Sequence, residues 1–267
     1  MHEKPSDLDM AKPRLGIWAL PDFLVIGAQK SATTSLLAYM GQHPQVKLGF
    51  KKATHYFDLH PERSLAWYAR HFPLTLPVAG RRWITGESCP SYVFLPEVPE
   101  RVKAALPQVK LIAILRHPVK RLVSQYYHEK RKSRAAPSFA DWVAQSRGMG
   151  WPVAGDTEFV RQNAAVPRGY YAQQLSHWLT RFPQSSLGVF TFEELTQEPQ
   201  KTMNAVFRFL GLPEAPVDTS RVLNSGNASS KEPIDPHLLG DLDSLYRQVN
   251  RDLPAIAGRS FPWWPEG

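Results

Sequence analysis

The sequence predicts an α/β fold, a central parallel β-sheet flanked by helices in three layers. Three observations predict it. Asp22-Phe-Leu-Val-Ile-Gly27 is a short apolar run, the type that forms a strand buried on both faces. It passes through a small-residue loop into a helical stretch, Thr33 to Met40, with no spare residues. Val109-Lys-Leu-Ile-Ala-Ile-Leu115 is the strongest strand signal in the chain, and Pro118 opens a helix directly after it.

The remaining elements follow in order. Gly41 stops the first helix. Ser64 to Phe72 reads as a helix and Arg82 to Gly86 as a short strand. Pro99 starts a helix over Glu100 to Leu106, and the helix opened by Pro118 runs to about Arg131. Ser138 caps a helix that reaches Gln145. Residues 147–156 hold Gly148, Gly150, Pro152 and Gly155 and read as a loop, a candidate lid. Tyr170 to Phe182 is helical, and Ser186 to Thr191 is a strand. Pro199 to Leu210 is a helix closed by Gly211, residues 212–231 are rich in proline, serine and asparagine, and Pro236 to Arg251 is the last helix. There is no internal repeat. The expected organisation is an N-terminal extension over 1–21 and a single domain over 22–267.

Composition narrows the class. The 267 residues suffice for one large α/β domain, and 43% hydrophobic with 21% charged residues is ordinary for a folded enzyme. Cys89 is the one cysteine, so neither an internal disulfide nor a cysteine-rich metal site can form, and a cytoplasmic, soluble protein is expected. No run of about 18 apolar residues predicts a membrane span. The formal charge of +8 favours anionic ligands, but a basic surface alone also reads as simple solubility.

The loop Gly27-Ala-Gln-Lys30-Ser31-Ala32-Thr33-Thr34-Ser35 is the first candidate site. Helix N-termini carry unpaired N–H groups and partial positive charge, so an anion docked there gains several hydrogen bonds at once. Lys30 adds a full charge. The G-x-x-x-x-G-K-[ST] pattern of ATP-binding loops is absent. The same stretch also reads as an ordinary strand-to-helix turn with N-capping threonines. The second candidate is Arg116, at the carboxyl end of a central strand, where open parallel sheets bind ligands. Ser124 lies two turns into the following helix, able to face back toward Arg116. A guanidinium fork with a serine hydroxyl suits a phosphate. Most of the neighbouring cations, from Lys120 to Arg134, read as a solvated basic helix.

The two sites together resemble the PAPS-dependent sulfotransferases, within them the branch of the heparan sulfate sulfotransferases and their bacterial relatives. Gly-x-x-Lys-x-x-Thr-Thr-Ser followed by Arg-x-Pro-x-x-Arg-x-x-Ser carries the resemblance. His55-Tyr56-Phe57-Asp58, Gly86-Glu87 with Pro90-Ser91-Tyr92, Pro99 to Val102 and Gly258 to Trp263 support it, over about residues 22–264. The resemblance implies a three-layer P-loop-like fold. It implies 3′-phosphoadenosine 5′-phosphosulfate as donor, 3′-phosphoadenosine 5′-phosphate as product, and no metal. It implies that Lys30 neutralises the bridging oxygen and that residues Ser31, Ala32, Thr33, Thr34 and Ser35 hold the 5′-phosphosulfate. Arg116 and Ser124 would bind the 3′-phosphate, and Asn227, Ser229, Ser230 and Lys231 would belong to a loop that closes over the nucleotide. The implied acceptor is a hydroxyl or amine of a small molecule, glycan or carrier-bound group, rather than nucleic acid.

Two positions depart from the pattern. Relatives usually carry glycine where this chain has Ala32, a strained choice only if that position needs φ > 0. Ala53, in Phe50-Lys51-Lys52-Ala53-Thr54-His55, stands where relatives carry the glutamate that acts as general base. Alanine cannot take a proton, so either another residue is the base or the chain is a low-activity form. His55, oriented by Asp58, is the best replacement, and also reads as a packed structural histidine. Glu87 is a weaker replacement and reads better as a structural carboxylate. Trp67, Tyr68, Trp151, Tyr170, Tyr171 and Trp178 are candidates to line an acceptor cleft, or else core. Two alternatives stay open: a non-catalytic nucleotide- or polyanion-binding protein, and a P-loop kinase, which lacks its magnesium aspartate here.

Overall fold

The structure, a computed structural model, describes residues 14–75, 83–132, 137–153, 155–220 and 233–264. A small antiparallel pair, β1 (Arg14–Leu15) and β2 (Trp18–Ala19), precedes the main sheet, where Trp18 bridges to Leu74. The sheet consists of β3 (Phe23–Gly27), β4 (Gly86–Ser88), β5 (Lys110–Leu115) and β6 (Leu187–Thr191), all parallel, in the order β4-β3-β5-β6. Between β3 and β4 lie α1 (Thr33–Met40) and α2 (Leu65–Ala69). Then come α3 (Val98–Ala105) before β5, and α4 (Pro118–Lys130), α5 (Phe139–Arg147), α6 (Thr157–Asn163) and α7 (Tyr171–Leu179) before β6. The chain ends with α8 (Phe192–Gln197), α9 (Pro199–Phe209), α10 (Pro236–Val249) and α11 (Leu253–Ala257).

Strand alternation produces the layers. Leu24, Ile26, Leu111, Ala113, Leu115, Leu187 and Val189 point to one face, against Phe57, Tyr68, Phe72, Tyr92, Tyr171 and Trp178. Phe23, Val25, Ile112, Ile114 and Phe190 point to the other, against α1 and α9 through Leu36, Met40, Met203 and Phe207. With both faces covered, the strands must read as continuous apolar runs, which is why three of them were visible in the sequence. Each fully buried large side chain contributes about 1.5–3 kcal/mol. A third cluster joins α4, α5 and α10 through Leu122, Tyr126, Val143, Leu242 and Tyr246.

The strand order sets the position of the site. From β3 the chain adds β4 on one side, then crosses to β5 on the other. The loops leaving β3 and β5 therefore diverge at a topological switch point, where a crevice opens at the carboxyl ends. The strand expected at 82–86 instead spans Gly86–Ser88, and Ile84 makes only an isolated bridge with Val46. In the segment expected as a lid, Trp151 Nε1 donates to the Phe94 carbonyl at 2.7 Å, which pins it to the core. Tyr68, Tyr170, Tyr171 and Trp178 are buried core residues rather than cleft lining, while Trp67 and Trp151 are half-buried.

Candidate active site

The loop leaving β3 ends at α1, whose first residue is Thr33. No side chain caps this helix, because Ala32 at the cap position has nothing to accept with. The side-chain oxygen that would ordinarily accept from the first-turn amides is therefore missing at the cap position. Lys30 and Ala32 both lie in the left-handed region, at φ 68° and 63°. Ala32 therefore occupies the conformation that favours glycine, which settles that departure as backbone strain of about 1–2 kcal/mol. Gly27 is required by packing: a Cβ there would lie 2.4 Å from Val93 Cγ1.

Arg116 follows β5 on the neighbouring strand end. Its Nη1 donates to the Lys30 carbonyl at 3.2 Å, so the second candidate site touches the first. Its guanidinium lies 4.2 Å from the centre of the Phe192 ring, and the Tyr171 hydroxyl donates to its carbonyl at 2.9 Å. Glu193 holds the next residue: its carboxylate accepts from the His117 amide at 3.2 Å and from Trp263 Nε1 at 2.8 Å. Arg259 bonds the Val189 carbonyl and Glu194. The Gly258–Trp263 stretch thus braces the strand end and helix beneath Arg116.

Three buried polar atoms around this crevice have no hydrogen-bond partner among the described residues: Gln29 Oε1, Ser31 Oγ and Arg116 Nε. Ser31 Oγ and Arg116 Nε can donate and Gln29 Oε1 can accept, and such orphaned buried polar atoms mark a place where a polar ligand completes the bonding. Burial lowers the pKa of Lys30, and the nearby Arg131 lowers it further. Burial also lowers that of Arg116, with Glu193 opposing. Both cations are held without enough counter-charge, as an anion site requires. Lys30 also lowers the pKa of His128, after burial. Ser124, His128 and Arg131 are spaced four and three residues apart, one face of α4 and its cap. The charges of His128 and Arg131 are thus felt at Lys30, and Ser124, one turn before His128, is half-buried. Asn227, Ser229, Ser230 and Lys231 lie outside the described residues.

The segment 51–58 closes the other side. Lys52 Nζ donates to Thr34 Oγ1, and the Ser88 amide donates to the Lys52 carbonyl at 2.8 Å. Ala53 is half-buried against the core and presents no polar atom. Glu87 is fully buried and accepts from the Thr54 amide (2.6 Å), Thr54 Oγ1 (3.1 Å), Tyr68 (2.9 Å) and Tyr92 (3.2 Å). Burial pushes its carboxyl pKa up while these donors pull it back. Three of these bonds fall on Oε1 and one on Oε2, and they tie Glu87 to Thr54, Tyr68 and Tyr92, so that it anchors the loop. His55 sits at φ 57°, in a turn where its carbonyl accepts from the Leu59 and His60 amides. Its Nδ1 lies 3.1 Å from both carboxylate oxygens of Asp58, which Ser91 and the Leu59 amide also hold.

Lys52 is not marked as a site residue by the sequence, where it looks like half of a solvated lysine pair. Nor does the sequence mark Phe192 and Tyr171 as supports of Arg116, or the contact between Cys89 and His55, 34 residues apart. The Lys51-Lys52 pair, two residues before the His-Tyr-Phe-Asp motif, is the available signal for Lys52. Nothing in the sequence signalled the others.

A switch-point crevice with a helix N-terminus, two half-buried cations and orphaned polar atoms defines the class as an α/β protein with its candidate site at the carboxyl ends of a parallel sheet. The family is more specific. Residues 20–234 match the sulfotransferase domain family, and the chain belongs to it. Heparan sulfate glucosamine 3-O-sulfotransferase 6 of Homo sapiens is 34% identical over 264 residues, covering 91% of this chain and 73% of that protein. Heparan sulfate glucosamine 3-O-sulfotransferase 3B1 of Mus musculus is 29% identical over 282 residues, covering 98% and 69%. Among solved structures, a sulfotransferase from Alicyclobacillus acidocaldarius superposes with a TM-score of 0.75 at 28% identity, over 93% of this chain and all of that one. Mouse sulfotransferase SULT7A1, solved with PAP, shares the fold at a TM-score of 0.55 and 14% identity, over 93% and 90%. The three-layer P-loop-like fold expected from the sequence is thus the observed one, and sulfuryl transfer is the chemistry of the family. No helix among the described residues is long and apolar enough to cross a membrane.

Proposed function

We propose that the chain moves a sulfuryl group from 3′-phosphoadenosine 5′-phosphosulfate to a glycan hydroxyl. One observation carries this reading: Ser31 Oγ and Arg116 Nε, on adjacent strand ends, are both buried without partners. They suit a ligand with anionic groups at two ends. When bound, the donor supplies a sulfuryl group on a phosphate leaving group.

The chain's own residues then have distinct tasks. The amides of the first turn of α1 and the hydroxyls of Ser31, Thr33, Thr34 and Ser35 hold the 5′ end. Arg116, aided by Ser124, binds the 3′-phosphate. Lys30 places its ammonium against the oxygen that takes up charge as the sulfur–oxygen bond breaks. Asp58 accepts from Nδ1–H of His55, which leaves Nε2 with a free lone pair. Nε2 takes the acceptor proton as the new oxygen–sulfur bond forms, and Asp58 stabilises the imidazolium. A glycan acceptor is supported by the named activity of the relatives and by a shallow groove lined by Arg63, Trp67 and Arg70. Arg63 lies 5.9 Å from the centre of the Trp67 ring and 3.3 Å from Glu62, which also lines the groove, so the aromatic face and Arg70 are what the groove offers a sugar.

The test is calorimetry with 3′-phosphoadenosine 5′-phosphate in excess chelator, followed by turnover against acidic glycans, phenols and carrier-bound hydroxyls. The expected result is magnesium-free binding and transfer to a glycan that His55→Ala abolishes without changing nucleotide affinity. A strict magnesium requirement would overturn the reading in favour of the kinase. Full transfer by His55→Ala would remove that residue from the base role. Ala53 favours a second reading, a nucleotide- or polyanion-binding protein without turnover, which tight binding with no transfer to any acceptor would support.

A further inference from the structure

Cys89 has no task in the proposed reaction, yet it lies against the residue that does the proton transfer. Its Sγ is 3.2 Å from His55 Nδ1 and 4.0 Å from Asp58 Oδ2, and Nδ1 is 3.1 Å from that oxygen. A triangle with those sides has a point about 2 Å from every corner, close to zinc's usual bond lengths to nitrogen, oxygen and sulfur. We propose that His55, Asp58 and Cys89 form a binding site for a thiophilic divalent cation such as Zn²⁺ or Cd²⁺, and that its occupation switches the proposed transfer off.

Three features favour a built site over a chance cluster. The carboxylate is already aimed: Ser91 Oγ donates to Asp58 Oδ2 at 2.6 Å and the Leu59 amide to Oδ1 at 3.0 Å, the outer hydrogen bonds that orient metal ligands. The imidazole is held by a left-handed turn at His55, closed by two backbone hydrogen bonds. Access is one-sided: the Asp58 side chain and Cys89 are fully buried, while the His55 side chain is 30% exposed. A cation entering past His55 meets three donors and keeps one coordination position for water. One nitrogen, one thiolate and one carboxylate oxygen suit zinc or cadmium better than magnesium or calcium.

The exchange balances in protons. The metal–sulfur bond replaces the Cys89 S–H bond and that proton leaves to solvent, while the metal–nitrogen bond displaces the Nδ1 proton of His55, which is taken up at Nε2, so one proton is released in all. The neutral imidazole then carries its one proton on Nε2. That nitrogen donates and can no longer accept. Inhibition, unlike binding, rests on His55 being the base, so the two are measured separately.

Binding is read by titrating the full chain with Cd²⁺ and following the thiolate-to-metal charge-transfer absorbance in the ultraviolet. One equivalent should saturate the band. Cys89→Ser and Cys89→Thr, both near-isosteric, should lose it while retaining the native circular dichroism spectrum. Asp58→Asn, which replaces a charged ligand oxygen by a neutral one, should bind more weakly, and Ser91→Ala, which removes an outer hydrogen bond to that oxygen, roughly 10- to 100-fold more weakly. No thiolate band in the wild-type chain, or a band unaffected by Cys89→Ser, overturns the site. Inhibition is read by adding Zn²⁺ to a transfer assay. The rate should fall about 100-fold or more, recover with chelator, and be unaffected by Zn²⁺ in Cys89→Ser. Saturable cadmium binding with undiminished transfer keeps the site and overturns the switch, and with it His55 as the base.

Discussion

The two sides of the crevice differ in how their polar groups are satisfied. Around the β3–α1 loop and Arg116, donors are left over: Ser31 Oγ and Arg116 Nε are buried without partners, and burial depresses both Lys30 and Arg116. Around residues 53–58 and 87–91, polar groups satisfy one another: Glu87 takes four hydrogen bonds, and Asp58 faces His55, Ser91 and the Leu59 amide. Binding an anion requires unspent donors, and the first side has them. Moving a proton requires an acceptor with a free lone pair, and Ala53 supplies none. The proposed donor side therefore has unspent groups among its described residues, while the proposed acceptor side depends on a single imidazole nitrogen.

The largest expected effect tests that asymmetry directly. Ala53→Glu places a carboxylate between Lys52 and Thr54 and should raise the transfer rate by ~10²–10⁴, the usual contribution of general acid–base catalysis. Nucleotide affinity should not change, because the first side is untouched. Single-turnover rates and calorimetry on the same preparations check both halves. An unchanged rate with intact binding would show that the acceptor side lacks nothing at position 53.

The complementary change acts on the other side. Arg116→Ala removes a charged donor fork and should weaken binding of 3′-phosphoadenosine 5′-phosphate by about 10- to 100-fold, since hydrogen bonds to charged groups contribute about 1.5–3 kcal/mol. Arg116→Lys should recover only part of this, because a point charge does not reproduce the fork. Binding of a nucleotide lacking the 3′-phosphate should be indifferent to both variants. Equal losses for the two nucleotides would mean that Arg116 acts through its bond to the Lys30 carbonyl.

The donor side was largely legible in the sequence for the same physical reason that it is simple. A strand, a loop of small residues and a helix are contiguous, and Arg116 is marked by the end of an apolar run. The acceptor side is assembled from distant residues, and its strand carries no apolar signature. The strand signal at Arg82 to Gly86 meets β4 only at Gly86, because Glu87 and Ser88 carry no apolar character. Gly86 is there because a Cβ would lie 2.2 Å from the Phe23 carbonyl oxygen, and Glu87 because four donors converge on it. Both are consequences of tertiary contacts that no local pattern records. Ala32 falls between these cases. The sequence stated the alternatives, and only the backbone, at φ 63°, decided between them.

That position gives the smallest expected effect and the finest test of the donor side. Two terms oppose each other in Ala32→Gly. Relief of the left-handed strain contributes about 1–2 kcal/mol, while the lost methyl, half-buried against Leu36 and its neighbours, costs less than about 0.8 kcal/mol. The net gain should be about 1 kcal/mol, or roughly 2–4 °C in Tm for a chain of this size. Thermal unfolding with and without 3′-phosphoadenosine 5′-phosphate separates two origins of the strain. If the loop is already shaped for its anion, the gain is the same in both conditions and affinity is unchanged. A gain confined to the unliganded chain would mean that the nucleotide itself relieves the strain, so that part of its binding energy is spent at Ala32 rather than at Lys30 and Arg116.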